Sequence, residues 1–433
     1  MKAVMISAPN SNSGKTAISA ALLAALRQKG FNVCGLKTGP DQVDRKILEN
    51  ASGRRAGNLD CFLMGKTGME MSLGAMQSEY AVIEGVMGCF DGIGSTPENS
   101  SFETAKTLGI DIILVYTPSG EMFSMIPKLK GFLDFSEKRI KAVILNKIKP
   151  SLYKTYKTMI EDNLPLAVLG FFPERSELRI AETGLGLNAT DTPKFTEFFQ
   201  SRQTEPAAQF DFEKFVSFFK SVPTKSLPDF KRTKTKTAIA RDACINFYYT
   251  ENIAVLEAYS ETEYFSPLAD THIPDCDFLY FGSGQVKAFA AELSANAAMR
   301  ASVKRFAEKG GVILAEGESV CYLFETFDLL PMCGIFFGNA ESTAKLQNFG
   351  YKIVELTQDC VLGKKGECFH AAEYHTSKAP LPETPLFKVT KAASKTIYSD
   401  GYRYKNTVAC FQNSNFISYV DSFYEVLHSM AQK

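Results

Sequence analysis

Short apolar runs alternate with stretches of helical periodicity through the first half of the chain. Residues 2–9 (KAVMISAP), 31–39 (FNVCGLKTG), 80–88 (YAVIEGVMG), 111–118 (DIILVYTP), 141–148 (KAVILNKI) and 166–173 (LAVLGFFP) read as strands. Between the first two lies KTAISAALLAALRQKG, a helix that closes at Gly30. Near-continuous apolar strands separated by helices predict a parallel sheet covered on both faces. The pattern weakens after about residue 195. Residues 211–222 (DFEKFVSFFKSV) predict one amphipathic helix, and a proline-containing basic run from Lys231 to Lys236 reads as a solvated linker. Strand patterns resume at 237–242 (TAIARD), 277–284 (DFLYFGSG) and 311–317 (GVILAEG). The expected layout is an α/β domain over 1–195, a linker with one helix over 196–236, and a second α/β domain over 237–433.

Composition narrows the function classes. The chain has 433 residues, 45% hydrophobic and 22% charged, which is globular. The formal net charge is zero, which argues against a broad nucleic-acid or membrane footprint. The opening apolar run is too short for a signal peptide, and no run is long enough to span a bilayer, so a cytoplasmic location is expected. The ten cysteines show no CxxC pair, which suggests reduced thiols rather than a zinc site or a disulfide framework. Only four histidines exist, at 272, 370, 375 and 428.

The chemistry concentrates at strand ends. SAPNSNSGKTAI follows the first strand and opens the first helix, the context that a phosphate-binding loop requires. Asn12, Ser13, Gly14, Lys15, Thr16 and Ala17 form its tip, with Pro9 in place of the usual first glycine. Gly14 lets the backbone approach a phosphate, Lys15 can reach the β/γ-phosphates, and the Thr16 hydroxyl can sit on Mg²⁺. The second strand ends at Lys37, Asp41 and Asp44; the third ends at Glu84, with Asp91 on the next loop. In open α/β sheets such strand ends form the ligand crevice, where carboxylates can hold Mg²⁺ against phosphate oxygens.

APNSNSGKT, LKTGPDQVD, GRRAGNLD, EGVMGCFDG and AVILNK occur in that order, followed by IARDACINFYYTEN, FSPLAD, SANAAMR, AEYHTS and ISYV. In these motifs the chain resembles the cobyrinic acid a,c-diamide synthase family, relatives of dethiobiotin synthetase among the deviant P-loop proteins. The resemblance implies a doubly wound P-loop domain followed by an α/β domain of the class I glutamine amidotransferase type. It implies an ATP- and Mg²⁺-dependent amidoligase of cobalamin biosynthesis, in which a substrate carboxylate becomes an acyl phosphate that ammonia converts to an amide. By resemblance, Lys15 and Thr16 hold phosphates and metal, and Asp41 and Glu84 join Thr16 as metal ligands. Lys37, Asp44, Asp91, Asn58 and Asp60 line the reacting face, and Asn146 contacts adenine.

Several positions depart from the family pattern. The nucleophile elbow A-E-C-G-G reads Ala315-Glu316-Gly317-Glu318-Ser319, which leaves glycine at the thiol position. The late strand S-Y-V-H-L-H-F, aligned on SYVDSFY, places Asp421 at the catalytic histidine and Phe423 at the second. The oxyanion loop P-G-G-Y-P-E has become GSGQVK over 282–287. Ser319 and Cys321 fall in the turn after the elbow and are not expected to replace the nucleophile, since each points elsewhere. Glu373 and His375 remain in AEYHTS, a segment that shapes the site without supplying the triad histidine. The expectation is therefore a ligase without glutaminase activity, fed by ammonia or by a separate glutaminase. The substrate loop P-E-R-H-L-G-L appears as AETGLGL, keeping Glu182 while Thr183 and Gly184 replace Arg and His, and a family acid reads as Thr117. Those losses leave open another tetrapyrrole or a small carboxylic acid as substrate in place of a corrinoid. A non-catalytic ATP-binding regulator or scaffold is the third reading, and a homodimer is left open.

Overall fold

The computed structural model describes residues 1–42, 44–174, 182–183, 186–187 and 210–432. The chain divides into two compact units, one comprising Met1–Cys61 and Gly65–Ser226, the other Phe62–Met64 and Leu227–Lys433.

The first unit is a βα alternation: β1 (Lys2–Ser7), α1 (Lys15–Gln28), β2 (Val33–Thr38), α2 (Arg45–Ser52), β3 (Gly57–Leu59), α3 (Cys61–Ala75, interrupted at Gly65), β4 (Tyr80–Glu84), α4 (Ser101–Leu108), β5 (Ile112–Tyr116), α5 (Met125–Phe135), β6 (Ile140–Asn146), α6 (Tyr153–Asn163) and β7 (Ala167–Phe172). These seven strands run parallel in the order β3-β2-β4-β1-β5-β6-β7. Strands buried on both faces explain the unbroken apolar runs of the sequence. The order reverses direction at β1, so its C-terminal end is the switch-point crevice of the sheet.

α1 starts at Gly14, whose φ of 85° takes the left-handed conformation that glycine adopts without strain. Ile18, Leu22, Leu23 and Leu26 pack into one core with Val4, Ile6, Leu48 and Val82. Each such aliphatic side chain contributes about 1.5–3 kcal/mol when fully buried. The helix ends at Lys29, and the Gly30 amide donates to the Arg27 carbonyl at 3.0 Å.

The segment expected as one helix over 211–222 divides in two. Only Phe212–Ser217 is helical, capped by the Asp211 side chain accepting from the Lys214 amide. Lys220–Ser221 then pairs antiparallel with Lys2 and Ala3 of β1. Phe215 and Phe219 are buried in the α1 core, so aromatic burial and strand pairing outweigh continuation of the helix.

The second unit holds a six-stranded sheet in the order Glu261–Phe265, Lys236–Ala240, Phe278–Phe281, Val312–Glu316, Thr407–Cys410, Tyr402–Tyr404. The first five are parallel and Tyr402–Tyr404 is antiparallel. A second, largely antiparallel sheet is built on the long strands Phe336–Leu356 and Cys368–Lys378. Residues 418–424, aligned above with a family strand, are helical instead. Phe416–Tyr419 forms a 3₁₀ turn and Val420–Met430 an α-helix with Val420, Phe423 and Leu427 buried. That spacing is the apolar stripe of a helix, not the alternation of a strand. Among the described residues no helix is long and apolar enough to cross a membrane.

Candidate active site

The phosphate loop is a strained, well-held turn at the end of β1. Asn12 has φ 60° and Gly14 φ 85°. The Ser13 hydroxyl donates to the Asn10 side-chain oxygen at 2.6 Å. Asn146, at the end of β6, donates from Nδ2 to the Ser13 carbonyl at 2.8 Å. A Cβ on Gly14 would lie 2.5 Å from that same nitrogen, so the loop and Asn146 fit only if residue 14 is glycine. The Ser13, Gly14, Lys15 and Thr16 amides donate no hydrogen bond among the described residues. They are the free donors of a helix N-terminus, the arrangement that binds phosphate. Ala17 follows in the first turn of α1, partly buried.

Lys15 is nearly buried and folds over the loop. Its ammonium donates to the Met87 carbonyl at 2.5 Å and the Asn10 carbonyl at 3.2 Å. Burial lowers its pKa to about 8 against the pull of the Glu84 carboxylate. Thr16 Oγ1 donates to Glu84 Oε1 at 2.5 Å. The same oxygen accepts from Lys37 Nζ at 2.7 Å, and Lys37 also meets Asp44 Oδ2 at 3.3 Å. Burial works against the charge on Lys37, but the Glu84, Asp44 and Asp41 carboxylates outweigh it and hold the ammonium above its usual range. Asp41 accepts the Asp44 amide at 3.0 Å through Oδ1, and burial raises its carboxyl to about 6.

Magnesium is the metal that this loop type implies. Glu84 is fully buried, and its second oxygen, Oε2, has no hydrogen-bond partner. An orphaned carboxylate oxygen on the residue that binds the Thr16 hydroxyl is a donor set that fits a hard cation. Among the described residues no three His, Cys, Asp or Glu side chains converge to cage a metal. Magnesium in nucleotide sites commonly takes one or two carboxylates, with phosphates and water completing the shell.

The remaining residues named from sequence are distributed unevenly. Asp91 is exposed on the loop after β4, where Oδ2 accepts the Gly88 amide at 2.9 Å. Asn58 is fully buried and braces the loop after β2, donating to the Gly39 and Asp41 carbonyls at 2.9 Å each. Those bonds commit its amide nitrogen to holding the Asp41 loop. Asp60 is buried at the start of α3. Glu182 and Thr183 form a two-residue strand paired with Gly186–Leu187, but their side chains, and Gly184, lie outside the described residues. Thr117 Oγ1 is buried without a partner. Sequence reasoning missed Thr38, whose hydroxyl accepts the Val86 amide at 2.7 Å, and Ser101, which donates to the Val86 carbonyl at 3.1 Å. Together they pin the loop that carries Met87 and Asp91. Nothing in a lone Thr or Ser codes for such a contact across strands.

The second unit keeps the backbone of an elbow. The strand Val312–Glu316 ends at Gly317, with φ 62°, and a 3₁₀ helix runs Gly317–Leu323. Ser319 donates to the Gly282 carbonyl, and Cys321 is fully buried, with burial pushing its thiol well above its usual range. Neither side chain is presented at the tip.

The position assigned to the base requires correction. Asp421 is exposed in the first turn of the helix Val420–Met430, not on a strand beside the elbow. The strand beside Val312–Glu316 is Thr407–Cys410, with Ala315 opposite Ala409 and Glu316 opposite Cys410. It leads into Gln412–Ser414, and Asn413 Oδ1 lies 3.0 Å from where a Gly317 Cβ would be. Laying S-Y-V-H-L-H-F on residues 410–416 puts its terminal Phe on Phe416 and its two histidines on Asn413 and Asn415. Asn413, not Asp421, stands at the position of the base, and an asparagine amide cannot accept a proton there.

Behind the elbow lies a buried polar network. His375 Nε2 is 2.9 Å from Glu373 Oε1, and its Nδ1 is 2.7 Å from the Ser377 carbonyl. Gln412 Nε2 donates to Glu373 at 2.8 Å and to Asp400 at 2.7 Å. His375 also stacks on Phe411 with ring centroids 4.1 Å apart. These contacts commit Glu373 and His375 to the packing of the antiparallel sheet.

Comparison with known proteins agrees with this two-part organisation. Residues 4–187 match the CobQ/CobB/MinD/ParA nucleotide binding domain, and residues 236–413 the CobB/CobQ-like glutamine amidotransferase domain. The cobyrinate a,c-diamide synthase of Clostridium tetani is 34% identical, over 97% of this chain and 98% of the relative. The Clostridium acetobutylicum protein of that name is 32% identical over the same shares. The Methanocaldococcus jannaschii one is 33% identical over 87% of each. The α/β fold, the nucleotide-binding loop and near full-length identity converge on one conclusion: this chain belongs to the cobyrinate a,c-diamide synthase family.

Proposed function

We propose that the chain is an ATP-dependent amidoligase that converts carboxylates of cobyrinate, a corrinoid of cobalamin biosynthesis, to carboxamides, using ammonia and not glutamine. The observation that carries the ligase half is the buried Thr16–Glu84–Lys37 constellation behind four free loop amides. In this reading the amides of Ser13 to Thr16 cradle the β-phosphate, and Lys15 leaves the Asn10 and Met87 carbonyls to follow the γ-phosphate. Thr16 and Glu84 would hold Mg²⁺, with Asp41 close by, and the metal would neutralise phosphate charge. Lys37 lies among Glu84, Asp44 and Asp41, where an ammonium can draw in a substrate carboxylate and stabilise the charge spread over the transferring phosphoryl group. Asp91, Asp60 and Glu182 are assigned to the substrate side, and Asn146 to the loop and the adenine.

The substrate carboxylate attacks the γ-phosphorus and ADP leaves, giving a mixed anhydride. Ammonia then attacks the acyl carbon, and phosphate departs with the electron pair of the cleaved C–O bond. The protein's part is positioning and charge compensation. Glycine at 317 and asparagine at 413 support the absence of glutaminase chemistry, since neither a thiolate nor a base is available. The test is amide formation from cobyrinate and ATP, read by mass spectrometry. A mass change of about one unit per carboxylate converted, dependent on ATP and ammonium, is expected from the C–N bond formed. ATP hydrolysis without any amide product from cobyrinate would remove the corrinoid assignment.

A further inference from the structure

The geometry points to Ser283 as the residue that sets the nitrogen donor, by filling the place where glutamine would be attacked. This rests on the amidoligase reading but adds to it a physical barrier that the missing thiol alone does not supply. A Cβ built on Gly317 would lie 2.2 Å from Ser283 Oγ and 2.5 Å from Ser283 Cβ. Heavy atoms do not pack at such distances. Rotation about χ1 would move the hydroxyl but leave Cβ in place. The barrier is therefore built into the path of the backbone at residue 283.

That backbone has little room to retreat. Ser283–Gly284 is a two-residue strand paired antiparallel with the segment Ile245–Phe247. On this paired side the fit is already close, since a Cβ on Gly284 would lie 2.0 Å from the Cys244 carbonyl oxygen. Ser283 also takes up the donor that acyl chemistry would need. The Glu318 amide donates to Ser283 Oγ at 3.2 Å. This is the N–H directly after the elbow tip, the group that an elbow aims at a developing oxyanion. One serine thus occupies the nucleophile's volume and satisfies the oxyanion donor.

Glu318 completes the closure. Its side chain accepts from the Ser377 hydroxyl at 2.5 Å and from the Lys287 amide at 3.5 Å. Ser319 binds the Gly282 carbonyl. The turn after the tip is therefore bonded to both ends of the 282–287 loop. A glutamine carboxamide has no approach to residue 317, and a cysteine placed there would meet Ser283 first. The nitrogen donor that remains is free ammonia, which needs no acyl-enzyme step.

The test uses the full chain carrying Gly317→Cys, alone and with Ser283→Gly. Tm and peptide-resolved alkylation of the new thiol by iodoacetamide are measured. The single variant is expected to melt roughly 3 °C or more below wild type and to resist alkylation, and Ser283→Gly to recover most of that shift and admit the reagent. A single variant that melts like wild type and alkylates as fast as the double would overturn the inference. If the cysteine proteins do not fold, Gly317→Ala with and without Ser283→Gly asks the same question through Tm. Equal losses in that pair, or failure of both to fold, place the strain elsewhere and overturn it as well. None of these readouts involves nitrogen transfer. Glutamine hydrolysis by the unmodified chain would instead sink the ammonia reading, whatever the alkylation shows.

Discussion

Gly14 and Gly317 each open a helical turn beyond a buried parallel strand with the same device, a left-handed glycine. What surrounds them differs. At Gly14 the neighbouring amides are left unpaired, Thr16 is bonded to the buried Glu84 carboxylate, and Lys15 is held only by the Asn10 and Met87 carbonyls. At Gly317 the next amide is taken by Ser283, and the polar groups behind it are bonded among themselves. One strand end keeps unspent hydrogen-bonding capacity and a buried carboxylate oxygen without a partner. The other has spent its elbow amide and most of its side-chain capacity internally, with Gln412 Oε1 and Asn415 Nδ2 left over. Unsatisfied polar groups are costly and persist where a ligand completes them. Satisfied ones read as structure.

The sharpest way to break this contrast is Glu84→Ala. It would leave the Lys37 ammonium buried without its nearer counter-charge, and removing one partner of a buried pair costs about 3–5 kcal/mol. Urea unfolding should show that loss in the transition of the first unit. A loss under 1 kcal/mol would mean that Lys37 and Glu84 behave as a solvated pair. Lys15→Ala comes next. It should lower kcat for ATP-dependent amide formation by about 10²–10³-fold, the range for removing one transition-state donor. Unchanged turnover would remove Lys15 from the reaction and favour a regulatory role for the chain.

The second unit should show its closed character through pH. Glu316 is fully buried, and burial raises its carboxyl to about 7 against hydrogen bonds from Ser414 and Tyr280. A raised carboxyl pKa means that the folded state holds the proton more tightly than the unfolded one, whose value is about 4.3. The stability tied to protonated Glu316 is present below that unfolded value and is lost as pH rises through about 7. Between pH 5 and 8, unfolding free energy should fall by about 1–3 kcal/mol from this group. Glu316→Gln should lack that component. Parallel pH profiles for the two proteins would show that Glu316 stays ionised throughout.

The smallest expected effect is at Asn146. Removing its bond to the Ser13 carbonyl should cost about 1 kcal/mol, seen as a several-fold higher KM for ATP. Asn146→Ala leaves Gly14 facing empty space, so Gly14→Ala should be better tolerated in that background than alone. Independent, additive effects would show that the two do not share one contact.

Much of the fold was legible because buried parallel strands need apolar residues on both faces, as at 112–116 and 142–145. β3 was not, since Gly57–Leu59 is too short to carry a period. The helix at 212–217 stopped early because Lys220 and Ser221 pair with β1, a long-range contact that no local pattern encodes. At the phosphate loop, residue types announced their chemistry, but Met87 enters through its carbonyl, which any residue would supply. At the elbow, Gly317 could be located from its strand. Its facing residue could not, because the histidine motif admits two alignments on this chain. The pairing of Ala315 with Ala409 decides for Asn413.

Under the proposed function, the first unit forms amides while the elbow supplies no nitrogen. The most direct measurement is a competition in which cobyrinate and ATP are given ¹⁵N-ammonium together with unlabelled glutamine. The new carboxamide is expected to carry ¹⁵N, with glutamine recovered intact. Unlabelled amide, formed with matching release of glutamate, would contradict it.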